Sequence, residues 1–410
     1  MFAAKRKRIK APRRIFADTS ASFSESWSIL EDAIDCIYTG KVSCLSFEVL
    51  YRTVYSLVLR KQGPELYQNT RSALEKRLIQ VREDTFHNEQ VSYKFLTTLG
   101  SVWKSQCACL KMISDIMMYL DKVYCKENRQ LLIFDMGLEL LRDNIVRPLR
   151  TKIQESMLHE INMARENKST PVNYSLLKEI VAMMETLVDV NDNYYLTEFE
   201  PYLLKETENY YSTFVQKHNL PAAEYINKAQ DLLDHEKQLD QSFLNKDTCL
   251  KVLNLMEKVL ISNNIEFVTT QGMRKFIEDE DYDNMRLLMK LSHRQIDRNK
   301  VLNQLSQCIL DDGLSIKEDQ YMKKKAQVAV KWVQDVIYLR EKYNRVLKEV
   351  DDSNVNNTKT VNETFAQFLN QQGNKPAEYL TQYIDSSLRG KQKVDAALEN
   401  SLGYCISLFK

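Results

Sequence analysis

The sequence predicts an all-α protein, an elongated array of helices rather than one globule. Three observations lead there. Apolar residues recur at three- and four-residue spacing through most of the chain, the period of a helix with one buried face. Apolar–polar alternation, the mark of a half-buried strand, does not persist anywhere. Nine glycines and seven prolines in 410 residues are too few for the tight turns of a β-sandwich or a βαβ protein.

Composition narrows the function classes. Hydrophobic residues make up 44% and charged residues 28%, a globular profile long enough for about two to four units. The net charge of +1 supplies no global field for nucleic acid or membrane. Eight cysteines include no Cys-x-x-Cys pair, and only Cys107 and Cys109 are close; with no signal-peptide pattern, reduced thiols are expected. No apolar run is long enough to span a bilayer, so cytoplasm and nucleus are the expected compartments. His87, His159, His218, His235 and His293 are scattered, and none stands in a cluster with metal-ligand spacing. Phosphate-binding glycine loops, nucleophile elbows and zinc helices are all missing. The acidic run Glu278 to Asp283 lacks the alternating ligands and glycine of a calcium loop. No enzyme, cofactor or metal is expected.

Seven of the ten residues from Lys5 to Arg14 are basic, and residues 1–21 read as a flexible arm, either a nuclear signal or a docking arm. Ile9, Ala11, Pro12 and Ile15 give it a short apolar anchor. From Ser22 a helical stripe of Phe23, Trp27, Leu30, Ala33, Ile34 and Ile37 runs to a stop before Gly40. The next helix is LSFEVLYRTVYSLVLRKQG, residues 45–63, with Ser46 as candidate N-cap and Gly63-Pro64 as candidate stop. Leu50, Val54, Leu57 and Val58 form its core stripe, and Phe47, Tyr51 and Tyr55 extend it along one flank. The apolar arc reaches about 160°, where burying one face needs roughly 100°. The flank either packs on a neighbouring helix or meets a partner, the use for which tyrosine is favoured. Pro64 opens a helix with Leu66, Tyr67, Leu74 and Leu78 inward. Residues 94–125 make one or two more, with Ile113, Ile116, Met117, Leu120, Val123 and Tyr124 on the buried stripe and Met118 and Tyr119 off it. Loop signals follow near 126, at 166–171, 191–193, 218–221 and 278–284; DDSNVNNTKTVN at 351–362 is the longest structureless candidate, and QQGNKP follows at 371–376. About a dozen helices are expected.

LSFEVLYRTVYSLVLRKQGPELY resembles the second helix of the first repeat of a cullin, closest to the cullin-three type that recruits BTB-domain adaptors. MISDIMMYLDKVY resembles the fifth helix of that repeat, and MGLELLRDNIV the crossing into the second. FEPYLLKETENYYSTF, EYINKAQDLLDHE, NMRLLMKLSHR and PAEYLTQYIDSSLRG match the later repeats in collinear order, and RIKAP is similar to the N-terminal extension of this type.

The resemblance implies a stalk of three five-helix cullin repeats, residues 22–146, 147–266 and 267–392, with 393–410 starting a helix toward a C-terminal domain. On that reading the chain is a piece of a longer ubiquitin-ligase scaffold, and the RING-box protein binds only through the missing domain. The first repeat holds a BTB-domain substrate adaptor. Its implied contacts are Ser46, Phe47, Glu48, Tyr51 and Tyr55 on one helix, and Met118, Tyr119 and Lys122 on another. The arm docks through Arg8, Ile9, Lys10, Ala11 and Pro12. Two positions depart from the family pattern: Val49 replaces an acidic residue, and Lys122 an arginine, whose planar fork it lacks. A cullin that binds a Skp-type adaptor and a helical vesicle-tethering rod are the alternatives.

Overall fold

The structure is a computed structural model that describes residues 22–86, 93–166, 172–190, 192–217, 220–317, 325–351 and 355–389. The basic arm with Arg8, Ile9, Lys10, Ala11 and Pro12, and the segment 393–410, lie outside the described residues. So do His87 and His218.

The described chain is all-α apart from one two-residue hairpin. The helices are α1 (Phe23–Tyr38), α2 (Phe47–Leu59), α3 (Gly63–Phe86), α4 (Tyr93–Ile116), the single turn α5 (Met118–Leu120), α6 (Ile133–Leu141), α7 (Arg150–Arg165) and α8 (Tyr174–Thr186). Then come α9 (Glu200–Lys217), α10 (Ala222–Asp240), α11 (Lys246–Glu257), α12 (Ile265–Glu278), α13 (Tyr282–Leu291), α14 (Gln295–Ser315), α15 (Lys325–Asp351), α16 (Val355–Gln371) and α17 (Lys375–Arg389). The hairpin pairs β1 (Val188–Asp189) with β2 (Asp192–Asn193) in antiparallel register. The chain forms two compact units: described residues up to Leu203 with Ser242–Leu244 make one, and Leu204–Gln241 with those from Asn245 onward make the other.

In the first unit α4 is the hub, packed against α1, α2, α6, α7 and α8. Its Phe95, Leu96, Leu99, Leu110 and Ile113 are essentially dry. Ser22 opens α1 with a capping box shared with Glu25. In the second unit α10, α12, α14 and α16 pack in one row and α13, α15 and α17 in another. Tyr343, Phe365 and Phe368 are buried between the rows.

Three expectations are corrected. Residues 355–362 are not a loop: α16 begins at Val355 and continues through them. Asn357 and Val361 are buried, and Phe365 and Phe368 carry the same stripe onward; the polar letters cover only the outer face. Helices outnumber the expected dozen because short connectors divide the long periodic stretches. Finally, Gly63-Pro64 does not end α2. That helix stops at Leu59, where Lys61 takes φ +62° and the amides of Lys61 and Gln62 bond the carbonyls of Val58 and Leu57 at 3.0 and 3.1 Å. This is a Schellman stop with a lysine in the position that favours glycine. Gly63 instead starts α3.

Replacing Lys61 by glycine keeps those two bonds and relieves the strain of a side chain at positive φ. Lys61→Gly is expected to stabilise the chain by about 0.5–1 kcal/mol, read as a higher urea midpoint. A lower midpoint would mean that the lysine side chain contributes more than its backbone costs.

Candidate functional site

Helix α2 turns two different faces to its surroundings. Leu50, Val54, Leu57 and Val58 are buried, with Val54 and Leu57 fully inaccessible. Phe47 is 51% and Tyr55 41% exposed, while Tyr51 is half-buried. Phe47 and Tyr51 stack with centroids 6.2 Å apart and rings 18° from parallel. Ser46 holds the N-cap position in an extended conformation but makes no side-chain cap hydrogen bond, so its hydroxyl stays at the exposed rim. Glu48 pairs with Arg52 at 2.7 Å, both largely solvated, a pair that adds little stability.

The segment after α4 supplies the other half. Met117 and Leu120 are buried, Met118 is exposed, Tyr119 is half-buried and Lys122 exposed. Tyr55 and Tyr119 meet with centroids 4.5 Å apart and a tilt of 51°, so α2 and α5 share one aromatic surface. Residues Asp121–Cys125 form a π-turn, a local widening of the helix common at functional sites. Asp121 Oδ1 accepts the Ile133 N–H at 2.9 Å, which ties the turn to the start of α6. Desolvation raises the Asp121 carboxyl pKa, against the lowering effect of that bond. On its inner side Tyr124 packs on Tyr67 at 5.8 Å and over Gly63, where an added Cβ would sit 2.9 Å from the ring. The glycine expected as a helix stop therefore makes room for Tyr124, and Lys122 faces outward as a result.

Spacing alone left the use of the aromatic flank open, and in the structure part of it is covered and part is exposed. Tyr51 and Tyr119 are half covered by the unit itself, while Phe47 and Tyr55 remain outward. The residues Ser46, Phe47, Glu48, Tyr51, Tyr55, Met118, Tyr119 and Lys122 thus lie on two adjoining segments. Sequence reasoning missed the cleft beside Phe47, a hollow of about 160 Å³ lined by Ile37, Val42, Leu45, Leu50, Met112 and Ile116, with Asp115 at its wall. It also missed Val49 and Leu59 as exposed apolar side chains, at 54% and 58%. Both fall outside the stripe, and an exposed valine or leucine has no signature in spacing. Among the described residues no cluster of metal-ligating side chains occurs.

The chain matches the family model of the cullin alpha solenoid domain over residues 27–410. It is 32% identical to Cullin-3 of Saccharomyces cerevisiae, over 97% of this chain and 55% of that protein. It is 28% identical to Cullin-3 of Dictyostelium discoideum, over 92% and 50%, and 26% identical to Cullin-4A of Mus musculus, over 94% and 50%. The chain spans about half the length of these curated relatives.

The two faces of α2 make opposite predictions for stability. Leu57→Ala opens a cavity in a dry position and is expected to cost about 2–5 kcal/mol. Tyr55→Ala loses one ring contact at a wet position and is expected to cost about 1 kcal/mol or less. Urea denaturation of both variants checks this; equal losses would mean that Tyr55 is a core residue.

Proposed function

The chain belongs to the cullin family, and from that premise we propose that it is the adaptor-holding part of a cullin–RING ubiquitin-ligase scaffold. Its partner is a BTB-domain substrate adaptor, held by Ser46, Phe47, Glu48, Tyr51 and Tyr55 of α2 and by Met118, Tyr119 and Lys122 beyond α4. One observation carries this reading. The contact of Tyr55 with Tyr119 at 4.5 Å joins two partly exposed segments into one continuous surface, rich in the side chains that anchor protein interfaces. The aromatic flank and the basic segment Arg8–Pro12 favour a BTB adaptor over a Skp-type one.

The role is positional. The chain performs no chemistry of its own; its helices, grouped as three repeats bounded near 146 and 266, act as a rigid spacer. A substrate brought by the adaptor is thereby held at a fixed distance from a ubiquitin-loaded enzyme at the RING-box end of the complex. Fixed placement turns the encounter of the two into an effectively intramolecular step. Lys122 contributes a compact charge that a carboxylate can meet from several directions, without the two-pronged geometry of arginine.

Tyr55→Ala is expected to weaken binding of a BTB adaptor by about 2 kcal/mol, roughly thirtyfold, as for a central aromatic anchor. Titration calorimetry reads the affinity, and unchanged affinity would remove α2 from the interface. Deleting residues 1–20 is expected to weaken binding about tenfold, mainly through faster dissociation. Ile9→Asp should reproduce most of that loss. Ordering an arm costs roughly 1–2 kcal/mol per fixed residue, so only a short apolar anchor yields a net gain. Surface plasmon resonance compares the three chains; equal off-rates would leave the arm as a targeting tail.

A further inference from the structure

Helix α1 ends in a turn built on Gly40, whose φ of +74° is the left-handed conformation of a helix stop. The Gly40 N–H bonds the Ile37 carbonyl at 3.2 Å, and the Lys41 N–H bonds the Cys36 carbonyl at 2.9 Å. The chain doubles back here, and the short 3-10 turn Val42–Cys44 returns a second cysteine to the first. Cys44 is exposed and Cys36 half-buried, and the Cys44 thiol lies near enough to help raise the pKa of Cys36. Cys44 Sγ also donates to the Lys41 carbonyl at 2.8 Å. By contrast, Cys109, Cys125, Cys249 and Cys308 are buried.

We propose that Cys36 and Cys44 are a site of oxidative modification, closing to a disulfide when the chain meets a hydroperoxide. The thiolate of Cys44 attacks one oxygen of hydrogen peroxide; a sulfur–oxygen bond forms, the oxygen–oxygen bond breaks, and the departing hydroxide becomes water. The Cys36 sulfur then attacks the sulfenic sulfur of Cys44. A sulfur–sulfur bond forms, the sulfur–oxygen bond breaks, and the leaving oxygen departs as a second water with the proton from Cys36. Two thiols and one peroxide thus give one disulfide and two waters; the thiols lose two electrons and the peroxide gains them. The order of attack follows the surroundings. Desolvation and the adjoining Cys44 sulfur raise the pKa of Cys36, so Cys36 keeps its proton while Cys44 faces solvent. Closing the bond to about 2 Å requires Cys44 to release the Lys41 carbonyl. The exposed bond stays open to a small thiol, whose attack restores both cysteines.

The cross-link lies directly before Leu45, Ser46 and Phe47, and it ties the start of α2 to the last turn of α1. Its bearing on adaptor capture rests on the proposed function, whereas the chemistry does not, so the two fail separately. The test uses the full chain carrying Cys405→Ser. It is treated with hydrogen peroxide at neutral pH, capped with N-ethylmaleimide and digested with trypsin without reductant. Trypsin cuts after Lys41, which places the two cysteines on separate peptides. Mass spectrometry is expected to find those peptides joined, two hydrogens lighter than the separate thiols, and released by dithiothreitol. In a Cys36→Ser chain the joined pair should be lost and Cys44 should carry sulfenic or sulfinic acid instead. The proposal is overturned if Cys36 is still capped by maleimide while Cys44 is over-oxidised or bridges two chains.

Discussion

The dry stripe of α2 is the constraint on which the exposed aromatic face depends. Leu50, Val54, Leu57 and Val58 are buried, each contributing about 1.5–3 kcal/mol by leaving water. A helix held on that side has no freedom to roll about its axis. Phe47 and Tyr55 must then face outward, although in isolation each would gain by burial. Thr53 is buried on the same side, its hydroxyl satisfied by donating to the Val49 carbonyl at 2.9 Å. The length of the face is set by the stop at Lys61, which turns the chain into α3 before the aromatic ladder can extend further.

A second helix must then arrive at the right height, and small features decide that. Gly63 leaves space for the Tyr124 ring, and the π-turn Asp121–Cys125 changes the register after α5. Tyr119 meets Tyr55 at 4.5 Å, while Lys122, less than one turn later, is in solvent. Any bulk at Gly63 would push on Tyr124 and through it on this register. The surface is thus assembled mainly from packing events on its hidden side.

Much of this was legible in the residues. The stripes of α1, α2, α3 and α4 are mostly buried as their spacing predicts, with Phe23 and Trp27 of α1 only half-covered, because a 3.6-residue period determines which side chains share a face. Family membership was legible in motifs spread over nearly the whole chain. Other features were hidden for physical reasons. Val355 to Asn362 read as loop because a helix needs only one apolar face, and here few apolar letters carry it among many polar ones. The stop at Lys61 was missed because the left-handed position normally goes to glycine, and Gly63 stood two residues away as the obvious candidate. Spacing specifies an angle around a helix but not what lies opposite, so the half-burial of Tyr51 and Tyr119 required the three-dimensional neighbours.

The central claim is that α2 and the turn after α4 together form one adaptor surface. Hydrogen–deuterium exchange of the chain with and without a saturating BTB-domain adaptor tests it most directly. Residues 45–60 and 117–126 are expected to slow together, with no such footprint from a Skp-type adaptor. Slowing in only one of the two segments, or protection confined to another part of the chain, would contradict the account.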